Sequence, residues 1–547
     1  MPTNRIQCQD VLTDGELAGI DALAAANRGD RALPVMAEFL RDKFNADFVL
    51  DKDIIAGFAH DSSNLPGRAD ALCRPQSERE LAAVFRLCFS GGIPFTISGG
   101  RSSLTGSATP ESGVVISTVK MLAPPVKADL AQKTVSAPAG IILEDMRRAA
   151  LEQSNGKLYF PVDPTSRADA FVGGALACNA SGFTPGADGA IRSWVNAVDF
   201  MLPNGMKITA RRGEYVSENG LFLLAGRGNA REIPVPRYPR LKIKNAGGPY
   251  SAPEGALDFV DLVVGSEGIF GAVTACEMRL APVPDGYLDL FFSLPAEENA
   301  VSLLEYLRNK LPGGPGRLTA LEYFGVHCRK YMAHENRLFR GTNQVGVYIQ
   351  EPLRGVNPED AALAWLERLA AAGCGVDENA VMMLDNDRDR KIFMEARHSM
   401  PANALEMVQR RGTYTIMTDT VVPPENFREF LKFTHSAIRA ENLDYLSFGH
   451  LGDCHLHFTI LPEKDRLARA TAVYDLIIAE SARLGGVYSG EHGTGKRKRR
   501  DFLRCYGLDA VAQVRKCKAA VDPQFLLNRG NVIEIGIQQS AVSSQHA

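Results

Sequence analysis

The chain has 547 residues, of which 45% are hydrophobic and 23% are charged, and its formal net charge is −3. A single hydrophobic core rarely grows beyond about 250–300 residues, so we expect two or more domains. The nearly balanced charge argues against nucleic acid as a partner, because such binding relies on an excess of basic residues.

Cysteine usage and apolar segments predict the compartment. The ten cysteines are scattered without a CxxC pair, which is typical of reduced thiols in a cytoplasmic protein. The N-terminus lacks the apolar core of a secretory signal. No apolar run approaches the roughly 18 residues that a membrane-spanning helix needs. We therefore expect a cytoplasmic protein that contacts a membrane at most peripherally, on its inner face.

The start of the chain is predicted to be mainly helical. Residues 1–60 contain two runs with helical apolar spacing, GELAGIDALAAANRG and ALPVMAEFLRDKF, and form a predicted N-terminal helical segment. A further helix is expected to begin at a capping box of Ser77 and Glu80 and to end at Gly91 and Gly92. The run IPFTI then predicts a strand that leads directly into glycines.

Changes in residue pattern along the sequence divide the rest of the chain into segments. Residues 61–285 alternate short β-type runs with glycine-rich loops, and residues 211–255 within them look like a long irregular insertion. Residues 286–485 alternate amphipathic helices with strands, and residues 486–547 return to loops and short helices. These patterns predict the α+β fold class with two folded domains.

A glycine-rich loop follows the IPFTI strand. It reads SGGRSSLTGSATP and covers residues 98–110. Glycines permit positive φ and close backbone approach, and successive backbone N–H groups in such a loop form a nest for an anion such as a diphosphate. A flexible surface loop without a ligand is the alternative interpretation.

Two further loops strengthen the ligand interpretation. VDPTSRADAFVGGALACNASG and GSEGIFG are also rich in small residues, and one extended ligand lying against three loops explains them more simply than three independent tight turns. None of these loops reads G-x-G-x-x-G ahead of a helix, so a nicotinamide-binding Rossmann site is unsupported. GEHGTGKR resembles the start of a phosphate-binding P-loop, but Arg497 stands where that motif needs Ser or Thr.

Three of the ten histidines lie close together in FGHLGDCHLHFTI, residues 448–460. On a strand, His455 and His457 share one face, and His450 lies across a turn. Imidazoles in this arrangement suit a divalent metal, for which Glu491, beside His492, is a candidate carboxylate ligand. Histidines that are simply buried and hydrogen-bonded are the alternative.

Five segments in the same order carry a family resemblance. SGGRSSLTGSATP, VDPTSRADAFVGGALACNASG, GSEGIFGAVT, GHLGDCHLH and SGEHGTG resemble those of the FAD-linked oxidases of the vanillyl-alcohol-oxidase type, in the branch of D-lactate, glycolate and D-2-hydroxyglutarate dehydrogenases. The resemblance implies a two-lobed FAD-binding domain of the p-cresol-methylhydroxylase (PCMH) type over 61–285. It also implies an α+β cap domain over 286–485 and a C-terminal segment, 486–547, that completes the flavin site.

The resemblance implies a non-covalent FAD, because no histidine or cysteine marks a covalent link. Positions that match the family's flavin-binding residues lie in the three loops and in the tail. They are Ile97, Ser98, Gly99, Gly100, Arg101, Ser102, Ser103, Gly106, Ser107, Pro161, Gly173, Gly174, Ala177, Asn179, Gly182, Gly189, Ile191, Glu267, Gly268, Gly271, Val273 and Asn531.

The resemblance also implies the reacting residues. His450, His457 and Glu491 match the ligands of a divalent metal (zinc, manganese or iron), which replaces the earlier pairing of His457 with His455. His492 matches the catalytic base, and Arg397 matches the arginine that binds the substrate carboxylate.

Two departures from the family pattern affect these expectations. Cys454 and His455 stand where the family has Gly and Asn, and Met417 and Thr418 precede Asp419 where a lysine is common. Because that lysine would help to bind a second carboxylate, its absence weighs against D-2-hydroxyglutarate. The run KRKRR, residues 496–500, is either a solvated face or a docking site for an acidic partner or an anionic membrane.

The expected function is FAD-dependent, metal-assisted oxidation of a D-lactate-like 2-hydroxy acid, with a homodimer as the candidate assembly. Electrons would pass to an external acceptor, such as an electron-transfer flavoprotein, an iron–sulfur protein, a quinone or a cytochrome. The alternatives are an oxidase of another alcohol that uses oxygen, a flavin-free zinc hydrolase, and a nucleotide-binding module without catalysis.

Overall fold

The computed structural model describes residues 2–27, 32–226 and 231–535. Fourteen α-helices occur in these ranges: α1 Asp14–Ala26, α2 Ala32–Phe44, α3 Lys52–Ala56, α4 Glu78–Gly91, α5 Leu143–Gln153, α6 Val172–Cys178, α7 Phe259–Val263, α8 Glu297–Lys310, α9 Glu335–Leu338, α10 Pro358–Ala372, α11 Asp387–Arg410, α12 Phe427–Ala440, α13 Leu467–Arg483 and α14 Arg499–Val521. The backbone of Gly507 leaves helical geometry (φ 80°, ψ 176°), so α14 is two helical pieces joined at a kink.

The same ranges contain twenty-two strands: β1 Arg5–Gln7, β2 Gln9–Asp10, β3 Asp47–Val49, β4 Ala71–Arg74, β5 Phe95–Ser98, β6 Val114–Ser117, β7 Lys127–Asp129, β8 Thr134–Pro138, β9 Leu158–Tyr159, β10 Val195–Met201, β11 Met206–Arg211, β12 Leu221–Ala225, β13 Arg231–Pro234, β14 Ala272–Arg279, β15 Ala281–Pro282, β16 Gly286–Leu294, β17 Ala320–Phe324, β18 Val345–Leu353, β19 Met382–Met383, β20 Ile416–Met417, β21 Tyr445–His450 and β22 His455–Ile460. This mixture confirms the predicted α+β class.

The first lobe is built on a four-stranded sheet of order β3-β4-β6-β5. Helices α1, α2 and α4 pack on it around one apolar core. As predicted, Ser77 caps α4 by accepting a hydrogen bond from the Glu80 N–H (3.2 Å), and Gly92 ends the helix in the left-handed conformation (φ 67°). The Glu80 carboxylate accepts from the N–H of Gln76 (3.0 Å).

The second lobe is a six-stranded sheet of order β2-β11-β10-β14-β8-β7. Helices α5, α6 and α7 share its apolar core with α14 from the far end of the chain. The C-terminal segment therefore packs against this lobe, because Phe502, Val514 and Val521 bury their side chains in its core.

The cap is a seven-stranded sheet of order β19-β16-β18-β17-β21-β22-β20. Helices α8, α10, α12 and α13 cover one face, and α11 covers the other. Successive residues of β16 serve the two layers in turn, since Phe292 joins the first core and Phe291 the second. The strands β21 and β22, which carry the three histidines, lie inside this sheet.

Two predictions need correction here. Residues 1–60 contain the helices α1, α2 and α3, as predicted, but they also contain strands, since β1 pairs with β12, β2 with β11 and β3 with β4. The insertion at 211–255 is only partly irregular, because β12 pairs with β13. Residues 1 and 28–31 of the predicted N-terminal segment, 227–230 of the predicted insertion and 536–547 of the predicted C-terminal segment lie outside the described residues.

Two further expectations concern the chain as a whole. All ten cysteines are free thiols, as the scattered pattern predicted. Among the helices of the described ranges, none combines the length and the apolar character needed to traverse a lipid bilayer.

Candidate active site

A cavity of about 640 Å³ lies where the three glycine-rich loops meet. Its wall includes residues of the first loop, of α6 and its flanks, and of the loop before β14, together with His450, Glu491 and His492. The volume falls in the range of small-molecule and cofactor sites. Loops far apart in the sequence therefore share one cavity with the histidine cluster.

The glycines keep backbone segments close together around this cavity. A methyl group at Gly100 would lie 1.9 Å from the carbonyl oxygen of Asp169, so the first loop touches the loop before α6. Gly173 packs against Ala139, whose Cβ would be 2.7 Å from an added Cβ. Gly174, its neighbour in the helix, has nothing within 4 Å of such a Cβ and faces the cavity.

The structure separates the predicted flavin-binding residues into two groups. Fifteen of them line the cavity: Ile97, Gly99, Gly100, Arg101, Ser102, Ser103, Ser107, Gly173, Gly174, Ala177, Gly182, Glu267, Gly268, Gly271 and Val273. The cavity wall does not include seven others: Ser98, Gly106, Pro161, Asn179, Gly189, Ile191 and Asn531.

Two residues of the second group make hydrogen bonds within the protein instead of lining the cavity. Asn179 ends α6 in the left-handed conformation, and its Oδ1 accepts a hydrogen bond from the Arg192 N–H (2.9 Å). The Asn531 amide donates to the carbonyl oxygens of Ser107 (2.8 Å) and Glu267 (3.2 Å). Their side chains are thus committed to other parts of the protein.

The side chain of Glu267 is also held by hydrogen bonds within the protein, although this residue lines the cavity. Its buried carboxylate accepts hydrogen bonds from the N–H groups of Thr494 and Gly495 (both 2.7 Å) and from the Ser107 hydroxyl (2.6 Å). Burial raises the pKa of this carboxyl, and the three donors act in the opposite direction. The side chain joins the first loop to the turn that follows His492.

The three histidines lie on adjacent strands of the cap. In the antiparallel pair β21 and β22, His450 is directly opposite His455, and His457 follows two residues later, so the three side chains share one face. Nε2 of His450 and Nε2 of His457 each lie 3.2 Å from a different oxygen of Glu491. One ligand atom from each histidine and from Glu491 lies within 4.8 Å of the others.

Outer hydrogen bonds orient two of these rings. His450 donates from Nδ1 to the buried Glu322 carboxylate (2.7 Å), and the Thr418 carbonyl lies 3.2 Å from Nδ1 of His457. This arrangement leaves Nε2 of both rings facing Glu491. A carboxylate or carbonyl behind the imidazole is the usual support of a metal-ligating histidine.

His492 lines the cavity next to this cluster. Its ring stacks on His457 (centroids 5.4 Å apart, planes 15° apart). Nδ1 lies 3.3 Å from Asp419 Oδ2, and Nε2 lies 3.5 Å from Glu491 Oε1. Burial lowers the pKa of His492 to about 4, against the opposing effect of the two carboxylates. The ring is therefore neutral near pH 7 and able to accept a proton.

Asp419 connects the histidines to the C-terminal segment. The fully buried carboxylate accepts hydrogen bonds from His455 Nε2 (2.9 Å), the His492 N–H (3.0 Å) and Lys498 Nζ (2.7 Å). Although burial favours the neutral acid, the charge of Lys498 and the hydrogen bond from His455 hold the pKa of Asp419 well below its usual value. Asp419 is therefore an anion that fixes two imidazoles.

Lys244 is a site residue that sequence reasoning missed. Its Nζ lies 3.2 Å from Glu491 Oε2 and 3.7 Å from Asp453 Oδ2, and its side chain is 5% exposed. Burial favours neutral Glu491, but Lys244 and His450 hold the pKa of that carboxyl well below its usual value. Lys244 lies in the insertion at 211–255, where no periodicity or motif marked it.

Arg397 stands one layer outside the cavity. Its guanidinium lies 4.1 Å from the centroid of the Phe183 ring, which lines the cavity, and 3.8 Å from the Glu322 carboxylate. Among the described residues, no closer ion pair of Arg397 is present. Its donors are thus not saturated by a bidentate partner.

The basic run 496–500 was expected to be a solvated face or a docking site, but part of it is buried. Lys498 is buried against Asp419, and Lys496 donates to Asn531 Oδ1 (2.6 Å). Only Arg497 and Arg500 are exposed. The run contributes mainly to internal contacts, which removes the main argument for a docking function.

The donor set and the cavity fit the groups that the resemblance implies. Imidazole nitrogens with a carboxylate oxygen are suitable ligands for a divalent transition metal, and outer hydrogen bonds orient the rings. The cavity presents glycine backbone and hydroxyl side chains, which suit a phosphate-containing cofactor. Asn528, which sequence reasoning also missed, lines it and accepts a hydrogen bond from the Ile97 N–H (2.8 Å).

Comparison with protein families supports the same assignment. Residues 69–211 match the model of an FAD-binding domain, and residues 349–532 match the model of the C-terminal domain of FAD-linked oxidases. The first match covers two of the three glycine-rich loops, and the second covers the histidine cluster.

Curated relatives span nearly the whole chain. A D-lactate dehydrogenase of Anaerostipes hadrus is 25% identical over 513 residues, which cover 92% of this chain and 98% of that protein. A D-2-hydroxyglutarate dehydrogenase of Xanthomonas citri pv. viticola is 25% identical and covers 85% of this chain and 89% of its own. A glycolate oxidase subunit of Bacillus subtilis is 24% identical, with 87% and 91% covered.

Solved structures share the fold. p-Cresol methylhydroxylase superposes with a TM-score of 0.65 at 14% identity, covering 96% of this chain and 99% of that chain. An alkyldihydroxyacetonephosphate synthase superposes with a TM-score of 0.63 at 16% identity, covering 96% and 89%. The two family-model matches together show that the chain belongs to the FAD-linked oxidases, the solved structures show that it has a PCMH-type FAD-binding fold, and the chain is an FAD-dependent oxidoreductase.

Proposed function

We propose that this protein oxidises a D-2-hydroxy acid resembling D-lactate to the 2-oxo acid, with FAD and a divalent metal as cofactors. The observation that carries the proposal is the cluster of His450, His457, Glu491 and His492 beside the glycine-lined cavity. The curated relatives named for D-lactate and D-2-hydroxyglutarate support the substrate class.

The chemistry divides between the cofactors and the chain. When bound, FAD supplies a hydride acceptor at N5 of its isoalloxazine, and a metal held by His450, His457 and Glu491 acidifies the substrate hydroxyl. His492 takes the hydroxyl proton at Nε2, because its Nδ1 is directed at Asp419. Asp419 then stabilises the imidazolium that this transfer creates.

The substrate carboxylate requires a cation near the cavity. Arg397 is the proposed partner, because its planar guanidinium binds carboxylates in a bidentate manner. Within the described part of the chain, one carboxylate, that of Glu322 at 3.8 Å, pairs with it. Met417 and Thr418 carry no positive charge, which favours a monocarboxylic acid. Lys244 is already engaged by Glu491 and Asp453.

The fate of the electrons is also part of the proposal. Transfer to an external acceptor, such as an electron-transfer flavoprotein, an iron–sulfur protein, a quinone or a cytochrome, agrees with the dehydrogenase names of the relatives. We propose a cytoplasmic location, consistent with ten free thiols, and a homodimer as the assembly to be tested by light scattering.

An anaerobic substrate panel tests the function. Purified flavin- and metal-loaded protein is mixed with the D and L forms of lactate, 2-hydroxybutyrate and 2-hydroxyglutarate, and with glycolate, while the long-wavelength flavin absorption is recorded. We expect bleaching by D-lactate or a close homologue and not by the L forms. A yellow protein that none of these acids bleaches would refute the proposed substrate class. A protein that stays colourless after flavin loading would refute FAD as its cofactor.

A further inference from the structure

His455 is the residue of the histidine cluster that the family resemblance leaves without a role. It lies on β22 directly opposite His450 and two residues before His457. The ring centroids of His455 and His457 are 4.6 Å apart, and those of His455 and His450 are 5.3 Å apart. The side chain is 0% exposed, so its polar atoms have no access to bulk water.

The two nitrogens of this ring are in different situations. Nε2 lies 2.9 Å from Asp419 Oδ1, and an ionised carboxylate only accepts hydrogen bonds, so Nε2 carries the proton. Nδ1 is buried, and no hydrogen-bond partner for it is present among the described residues. Buried polar atoms without a partner are rare and call for an explanation, of which a bound ion is one.

The pattern of outer bonds is the same for all three rings. His450 uses one nitrogen for Glu322, His457 uses one for the Thr418 carbonyl, and His455 uses one for Asp419. In each case the second nitrogen remains for the cluster, and a nitrogen from each ring lies with Glu491 inside the same 4.8 Å group. Because Nε2 of His455 bonds Asp419, Nδ1 is the nitrogen of this ring that remains, whereas Nε2 remains in the other two rings.

The neighbouring backbone leaves room for this ring. A Cβ at Gly490 would lie 2.8 Å from Cε1 and 2.9 Å from Nε2 of His455. Gly490 donates its N–H to the carbonyl of Asp419 (2.7 Å). The segment that carries Glu491 therefore approaches His455 as closely as a residue without a side chain permits.

We propose that His455 is a fourth protein ligand of the divalent metal, which it binds through Nδ1. This inference rests on the proposed function, because it extends the metal site of His450, His457 and Glu491. Imidazoles favour zinc, copper, iron and nickel, whereas oxygen ligands favour manganese and magnesium. A third imidazole therefore predicts that the protein prefers zinc to manganese more strongly than a site with two imidazoles.

Metal titration of the flavin-containing protein tests this assignment. Wild-type, His455→Asn and His435→Asn proteins are stripped of metal and titrated with Zn²⁺ or Mn²⁺ against a chromophoric chelator. His435 is the matched control, because it is a buried histidine whose two nitrogens bond Tyr445 and Glu297 instead of the cluster. Circular dichroism and flavin content verify folding of each variant.

Each outcome decides the inference. Loss of an outer-shell partner weakens metal binding by about 10–100-fold, so we expect His455→Asn to weaken zinc binding by at least about 100-fold and to reduce the preference for zinc, whereas His435→Asn changes neither. If His455→Asn binds zinc as tightly as the wild type and with the same preference over manganese, His455 is not a ligand, and the site of His450, His457 and Glu491 stands. A wild-type protein that binds neither metal would overturn both, and flavin bleaching would still test the oxidation separately.

A second measurement needs no variant. Pulsed electron paramagnetic resonance of the wild-type protein loaded with Cu²⁺ detects the remote nitrogens of coordinated imidazoles and thereby counts them. Three coupled imidazoles are expected. Two would overturn the inference even if His455→Asn fails to fold.

Discussion

Gly174 provides the sharpest test of where the flavin lies. It is part of α6 and faces the cavity, and a Cβ at this position would meet no protein atom within 4 Å. Gly174→Ala therefore adds a methyl group to the cavity without a clash in the chain itself. The same change at Gly173 would bring Cβ to 2.7 Å from the Cβ of Ala139 and should destabilise the fold.

Gly174→Ala should have opposite effects on the stability of the apoprotein and on its affinity for FAD. Replacing glycine by alanine inside a helix stabilises it by up to about 1 kcal/mol, so the apoprotein should be at least as stable as the wild type. An extra methyl group in a closely packed contact costs about 1–3 kcal/mol. If the flavin fills this part of the cavity, its dissociation constant should rise by about 5–150-fold.

The assay is titration of apoprotein with FAD, followed by flavin fluorescence, together with thermal unfolding of the apoprotein. Gly15→Ala is the matched control, because Gly15 is also helical with no atom within 4 Å of an added Cβ, and it is exposed in α1. Unchanged FAD affinity in Gly174→Ala would show that the cofactor does not contact α6, and the assignment of the cavity would fall.

Three further substitutions test the catalytic and structural groups. His492→Ala should keep the flavin and slow flavin reduction by about 10²–10⁴-fold, which is the usual contribution of a general base. His398→Ala is the control, because His398 is exposed. A normal rate in His492→Ala would remove that residue from the mechanism. Asp419→Asn should lower the free energy of unfolding in urea by about 3–5 kcal/mol, because it leaves the Lys498 ammonium buried without its counter-charge; unchanged stability would contradict the buried ion pair. Glu267→Gln should lower the free energy of unfolding by about 1–3 kcal/mol in the same assay, because the amide NH₂ would face one of the N–H groups that now donate to the carboxylate. An unaltered unfolding midpoint would show that these hydrogen bonds are not needed.

Local signals predicted the parts of the fold whose causes are local. The ends of α4 follow from the Ser77 cap and Gly92, both within a few residues of the helix. The strand β22 follows from the alternation around His455 and His457. The convergence of three glycine-rich loops was also predictable, because one ligand was the simplest reason for so many small residues in separate loops.

Long-range contacts account for what was missed. Lys244 reaches Glu491 across 247 residues of chain, and neither end carries a periodic pattern that points to the other. The strands β1 and β2 were missed at the N-terminus, because the strands with which they pair, such as β12, lie some 200 residues later in the sequence. The charges of Lys498 and its neighbours suggested a surface, yet Asp419 draws Lys498 into the interior.

The central claim is that the cavity and the histidine cluster form one reaction site for flavin and metal. Rapid mixing of the flavin-loaded protein with D-lactate under nitrogen, before and after metal removal and again after zinc or manganese is restored, tests it most directly. Because metal activation of a hydroxyl is worth several kcal/mol, we predict that removal slows the first flavin reduction by about 100-fold or more and that restoration reverses the loss. Equal rates in the stripped and restored proteins would contradict the account.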